Sequence, residues 1–263
     1  ALTKILRSQG SMNGMLTCAE HFNIAQVLEE LKTHKPANSV AQVTRPQAEV
    51  FPAQGEERCR VALLDYGVTK GVIQCLTRRG CAVTALPAST SAQEVLSGGF
   101  DGVFLSDGPG DPADNTGLAA QVKELYAASL PLYAMGLGHQ LLAIASGART
   151  ERLPYGHRGG NVPVRDLELG RVFITSQNHG YAVIRDSVAP AAARVSYENV
   201  NDNSCEGLNY TRPNCFSTQF HPEANTGPKA VEYVLDRFVE QMTGIPAPSK
   251  GGAPATKTLG GDQ

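Results

Sequence analysis

Between residues 58 and 146 short apolar runs alternate with stretches of helical periodicity. Residues 61–64 (VALL) read as a buried strand, followed by a helix through Ile73 and Leu76. Residues 82–86 form the next strand and 92–96 the next helix. A third strand over 102–106 leads into the loop DGPGDP and a helix over 117–128. Residues 132–135 are a fourth apolar run, ended by a small-residue turn, Gly136-Leu137-Gly138, with a helical run over 139–145 directly behind it. Strands alternating with helices predict an α/β fold: a mainly parallel open sheet with helices on both faces and right-handed crossovers. After Thr150 the pattern changes to short strands at 171–176, 181–184, 194–198, 206–210 and 215–220, with a final helix over 228–242.

The flanks read differently. Residues 1–35 hold a short helix, the turn Gly10-Ser11-Met12-Asn13-Gly14, and an amphipathic helix with Ile24, Val27, Leu28 and Leu31 at helical spacing. That is too little to bury a core alone. Residues 36–57 carry Pro36, Pro46 and Pro52 and read as a linker; 244–263 are poor in apolar residues and are expected to be disordered. The expected organisation is an appendage with linker over 1–57, the main domain over 58–243, and a tail. Ala1 opens the chain in what reads as a helix already in progress, the expectation for a fragment or processed chain.

Composition narrows the function classes. With 23 basic and 25 acidic residues the net charge is −2, so a broad basic face for nucleic acid is not expected. No apolar run approaches the ~20 residues of a membrane span, and Lys4 and Arg7 flank no long apolar core of a signal peptide. The six cysteines (Cys18, Cys59, Cys75, Cys81, Cys205 and Cys215) form no CxxC pair. Several lie in apolar stretches and read as buried small hydrophobes, a reducing cytoplasm is the simplest expectation, and neither a metal site nor a phosphate-binding P-loop is expected.

Three segments carry candidate chemistry at the carboxyl ends of the predicted strands. The turn at Gly136 has the strand–turn–helix shape of a nucleophile elbow, with glycine at the tip where a Ser or Cys would stand. Leu137 N–H, at a helix N-terminus, and Gly110 N–H, in Ser106-Asp107-Gly108-Pro109-Gly110-Asp111-Pro112, could form an oxyanion hole. His221 with Glu223, in Gln219-Phe220-His221-Pro222-Glu223-Ala224, could be a general base and its orienting carboxylate. Each segment also has a plain reading as a tight turn. Of the other histidines, His21 and His34 lie in the appendage, His157 and His179 in Gly-rich loops, and His139 starts a helix as a cap or packing residue.

Taken together these segments resemble the class I glutamine amidotransferases, whose elbow reads Gly-x-Cys-x-Gly-x-Gln and is followed downstream by His-Pro-Glu. LTKILRSQGSMNG, LLDYGVTKGVI, FLSDGPGDP, GLGHQLLAIASGA, YGHRGGNVPV, TSQNHGYAV and FHPEA are most similar to the small subunits of carbamoyl phosphate synthases. The resemblance covers residues 1 to about 242, with 1–35 matching the last part of the small subunit's N-terminal domain. It implies L-glutamine binding at Gly108, Gly110, Leu137, Gln140, Asn178, Gly180 and Tyr181, with His221 and Glu223 as base and partner. It implies no cofactor in this chain. ATP, magnesium and bicarbonate are expected on a large-subunit partner that takes the released ammonia to carbamoyl phosphate for pyrimidine and arginine synthesis.

Three positions depart from the family pattern: Gly136 replaces the cysteine nucleophile, Ala134 a glycine, and Asp107 an asparagine. Without a thiol no thioester forms, and losing such a nucleophile costs on the order of 10⁶ in kcat. Glycine suits the strained tip, so the expectation is a folded, glutamine-binding domain with little or no turnover. Three explanations stay open: a pseudo-glutaminase whose synthetase uses free ammonia, a non-catalytic structural or regulatory partner, and an engineered or mis-sequenced position in an active subunit.

Overall fold

The computed structural model describes residues 1–223 and 231–245. The N-terminal segment forms α1 (Leu2–Gln9) and α2 (Ile24–Thr33), the latter capped by the Asn23 side chain, and neither helix buries a residue. The stretch expected to be a linker contributes two elements: α3 (Ser39–Val43), whose Val40 joins the core, and β1 (Glu49–Phe51). The prolines bound these short elements without preventing them.

The core is set by β2 (Cys59–Asp65), whose alternation serves two faces at once. Val61 and Leu63 point to one side, Ala62 and Leu64 to the other, and all four are fully buried. A strand buried on both faces reads as a continuous apolar run, and that is the signature of a covered parallel sheet. Next come α4 (Lys70–Thr77), β3 (Cys81–Pro87), α5 (Ala92–Ser97) and β4 (Gly102–Leu105). They lead to α6 (Thr116–Ala127), β5 (Leu132–Met135) and α7 (Leu137–Ala145). The C-terminal half has β6 (Thr150–Asp166), β7 (Arg171–Val183), β8 (Ala193–Asn199), β9 (Cys205–Tyr210), β10 (Cys215–Thr218) and α8 (Tyr233–Thr243).

All ten strands form one sheet in the order β1-β3-β2-β4-β5-β10-β9-β7-β6-β8. From β3 to β10 the pairings are parallel; β1 adds an antiparallel edge, and β9, β7, β6 and β8 an antiparallel extension. Helices α5, α6 and α7 cover one face of the parallel part, α4 and α8 the other. Among the described residues no helix is long and apolar enough to cross a membrane. All six cysteines are free thiols, and only Cys18 is exposed.

The structure corrects the reading of the C-terminal half. The segments expected at 171–176 and 181–184 are one strand, β7, and its partner β6 is 17 residues long where no strand was expected. Pro154, Pro163 and paired glycines break the period-2 pattern of β6, and its pairing with β7 slips twice, between Arg152 and His157 and between Gly159 and Val162. His157 and His179 therefore sit on paired strands, opposite each other, and not in loops. The first residues of the expected final helix, 228–230, and most of the expected tail, 246–263, lie outside the described residues.

Phe104 on β4 centres the α4/α8 side, edge-on to Tyr133 at 5.0 Å and to Phe238 at 6.1 Å. Phe104→Ala is expected to cost about 3–5 kcal/mol by leaving a cavity that this three-ring cluster cannot close. Urea unfolding beside the unsubstituted chain measures this, and a loss below about 1 kcal/mol would mean that the cluster re-packs.

Candidate active site

Three parallel strands end at one place. Gly136, at the tip between β5 and α7, donates its N–H to Thr218 O of β10 at 3.0 Å. Gly138 N–H donates to Ser106 O, after β4, at 3.0 Å, and His221 N–H to Ser176 O of β7 at 3.0 Å. The backbone thus ties the loop after β4, the elbow and the segment after β10 together. Gly136 has φ 56° and ψ −116°, a conformation that side-chain-bearing residues rarely adopt. Helix α7 starts at Leu137, so its first N–H groups lack a partner within the helix, and that of Leu137 points into this space.

The space above Gly136 is filled by Asp107. Its Oδ1 accepts the Leu137 N–H at 2.8 Å, and its Oδ2 lies 3.1 Å from His221 Nε2. On the other side of the ring, His221 Nδ1 lies 3.2 Å from Glu223 Oε1, which also accepts the Thr69 hydroxyl at 3.1 Å. A side chain at 136 would overlap the carboxylate: its Cβ would fall 2.7 Å from the Cβ of Asp107. The donor expected to serve an oxyanion is therefore already engaged. Asp107 was legible as a departure from the family pattern, but not as the occupant of the tip.

The other expected site residues surround this triad unevenly. Gln140 is buried on α7 and donates from Nε2 to Tyr181 O at 2.7 Å and to Gln219 Oε1 at 2.8 Å, joining helix, β7 and the end of β10. Gly108 packs on Tyr66 and Gly67 so closely that a Cβ would strike the Tyr66 backbone. Gly110 is exposed beside Ser39, in a loop whose Asp111 and Asp114 face Lys35 at 3.9 and 2.9 Å. Asn178, opposite Arg158, is exposed, and Gly180 also lies against the Arg158 guanidinium. His139 is a packing residue: fully buried, its Nδ1 lies 2.7 Å from Ser217 Oγ, and burial pushes its pKa down to about 3.

Comparison with known proteins decides the family. The profile of class-I glutamine amidotransferases matches residues 62–241. The chain belongs to this family. It is 42% identical over 244 residues to the carbamoyl phosphate synthase small chain of Listeria monocytogenes serotype 4b, covering 92% of this chain and 66% of that one. It is also 42% identical to the pyrimidine-specific small chain of Halalkalibacterium halodurans, covering 92% and 66%. The chain thus spans just under two thirds of these relatives' length. A provisionally assigned GMP synthase component from Thermoplasma acidophilum shares the fold at a TM-score of 0.63 and 16% identity, covering 72% of this chain and 96% of that one.

In this amidotransferase domain the electrostatics of His221 follow from its two carboxylate neighbours. Burial works against charging the ring, but Asp107 and Glu223 on its two nitrogens outweigh that, and its pKa is pushed up to about 10. At neutral pH His221 is an imidazolium between two carboxylates, not a free base. Its ordinary value is 6.5, so its contribution to stability is complete below about pH 6.5 and is lost as the pH rises through about 10. Asp107→Asn removes one of the two anions. A proton NMR titration of the His221 ring is expected to show a clearly lower pKa in that variant. An unchanged value would place the carboxylate away from the ring.

Proposed function

We propose that this chain is the glutamine amidotransferase subunit of a carbamoyl phosphate synthase, silenced in its own glutaminase step and paired with a large subunit that uses ATP and free ammonia. The family supports the amidotransferase half of this reading, and the names of its relatives support the synthase half. The observation that carries the silencing is the Asp107 carboxylate above Gly136.

Hydrolysis of a glutamine side-chain amide needs a nucleophile on the carbonyl carbon, donors for the oxyanion, and a proton for the leaving ammonia. Gly136 offers no nucleophile, and Leu137 N–H is taken by Asp107. His221 holds a proton but shares it with two anions, which lowers its drive to give it up. A substrate carbonyl would also have to displace a carboxylate held by an N–H and an imidazolium. The same arrangement argues against a single mis-sequenced position. Two departures from the family pattern, 29 residues apart in the chain, fit each other in space, one vacating the volume that the other fills.

Restoring the thiol alone is then not enough. In Gly136→Cys the new side chain meets Asp107, and a like charge raises a thiol pKa. A rise of one to two units leaves roughly 10–100-fold less thiolate at neutral pH. Glutamate release should be measured for the unsubstituted chain, Gly136→Cys, and Gly136→Cys with Asp107→Asn, each with a carbamoyl phosphate synthase large subunit present. The double variant is expected to exceed the single one by at least about tenfold, with the unsubstituted chain at background. Turnover of the unsubstituted chain equal to the double variant would overturn the silencing. Failure of the chain to co-elute with the large subunit, or to leave its ammonia-dependent synthesis intact, would overturn the pairing.

A further inference from the structure

His157 on β6, His179 on β7 and Glu206 on β9 meet where these three strands adjoin. His157 Nδ1 lies 3.2 Å from His179 Nε2 and 3.1 Å from Glu206 Oε1, and the three potential ligand atoms fall within 4.8 Å of one another. Glu206 is fully buried. Four-coordinate zinc at 2.0–2.2 Å from N and O ligands needs neighbouring donors about 3.3 Å apart, and the two pairs that share His157 Nδ1 meet that spacing.

The outer contacts orient the cluster. His157 Nε2 faces Asp202 Oδ2 at 2.9 Å, and His179 Nδ1 faces Tyr181 O at 2.8 Å. Each ring thereby has an acceptor for its outer N–H. A carboxylate and a backbone carbonyl are the usual outer partners of metal-bound histidines, and they fix the tautomer in this way. Burial works against charging His157, but Glu206 and Asp202 outweigh it and push its pKa up to about 9, so a cation at its inner nitrogen has to displace a proton. Glu206 is held likewise, by Gln177 Nε2 on Oε2 at 2.9 Å and by Asn199 Nδ2 on Oε1 at 3.1 Å. With its Nε2 engaged, Gln177 aims Oε1 at His179 Nε2, 2.8 Å away, adding a fourth acceptor. Among the described residues the donor that opposes this arrangement is Asn199 Nδ2, 3.4 Å from His157 Nδ1.

We infer that His157, His179 and Glu206 form a site for a divalent cation of the zinc class, with Gln177 Oε1 or water as the fourth ligand. Two imidazoles and a carboxylate suit zinc and its neighbours better than calcium or magnesium, which prefer all-oxygen shells. The site would act as a clip. Within the antiparallel extension β7 pairs with β9 through a single residue pair, Val183 with Cys205, while β8 closes the group by pairing with both β6 and β9. A cation held by β6, β7 and β9 cross-links the β7–β9 seam. The ligands are spread over about 50 residues without a local spacing motif, so the linear sequence does not announce them.

The test uses the full chain in a Cys18→Ser background, which removes the exposed thiol. After chelation and dialysis, Zn²⁺ is titrated calorimetrically, and Co²⁺ is added to read the visible bands of a tetrahedral site. One Zn²⁺ per chain and a raised Tm are expected. His157→Gln and Glu206→Gln are expected to abolish binding, and Asp202→Asn, at a half-exposed outer partner, to weaken it about 10–100-fold. Asp202→Asn keeps the test decisive if a variant of the buried Glu206 does not fold. Absence of binding at one equivalent, or binding unchanged by His157→Gln and Asp202→Asn, would overturn the site and leave the cluster as a hydrogen-bonded ion pair.

Discussion

A negative charge has to sit at the tip of this elbow. Helix α7 opens with the Leu137 N–H, which has no carbonyl partner within the helix and is aimed into the space above Gly136, and the His221 imidazolium faces the same point from beyond the end of β10. A helix N-terminus and a protonated ring together make an anion site whether or not the tip residue supplies the anion. In an amidotransferase with its thiolate, nucleophile and site anion are one group. Here they are separated: the tip has no side chain, and Asp107 brings the charge from the next strand. The loop after β4, the start of α7 and the segment after β10 converge on that carboxylate.

The same separation turns a reactive arrangement into a stable one. A thiolate beside an imidazolium is held high in energy, where it can attack. A carboxylate that accepts an N–H and an imidazolium N–H has satisfied its hydrogen bonds and its charge together. Active sites give up stability to keep such groups unsatisfied. On the reading proposed above, filling the space over Gly136 removes that strain together with the turnover it would serve. The retained His221–Glu223 pair needs no catalytic role to explain it: a buried imidazolium between two carboxylates is a structural unit in its own right, and removing either acid leaves a buried charge short of a partner.

What could be read from the sequence follows from how strongly each part is buried. β2 to β5 are covered on both faces, so their residues are apolar without interruption, and their positions were legible to within a residue or two. β6 faces solvent along much of its length and carries glycines and prolines where its pairing slips; no periodicity marks it, and His157 and His179 were placed in loops. The elbow and the His-Pro-Glu segment were legible because strand ends with special backbone needs leave local signatures. The occupation of the tip by Asp107 was not. The sequence puts the Asp107 charge near the expected oxyanion hole, but only the register of β4 beside β5 turns that nearness into a contact that fills the tip.

That contact changes how a departure from a motif should be weighed. Taken alone, Gly136 is a deletion, and a deletion leaves a vacancy that a single reversion should refill. Beside Asp107 it is half of an exchange, and neither half can be reversed at the cost it would have alone. A cysteine at 136 meets a carboxylate in its volume; an asparagine at 107 takes the charge from the helix N-terminus and leaves His221 with Glu223 alone. Groups in direct contact are where additivity fails, so both single reversions start from a disadvantage that the double reversion does not share. If the glutaminase step is silenced as proposed, such a site does not drift back to activity one substitution at a time, because each first step loses a satisfied ion contact before any thiolate chemistry can compensate.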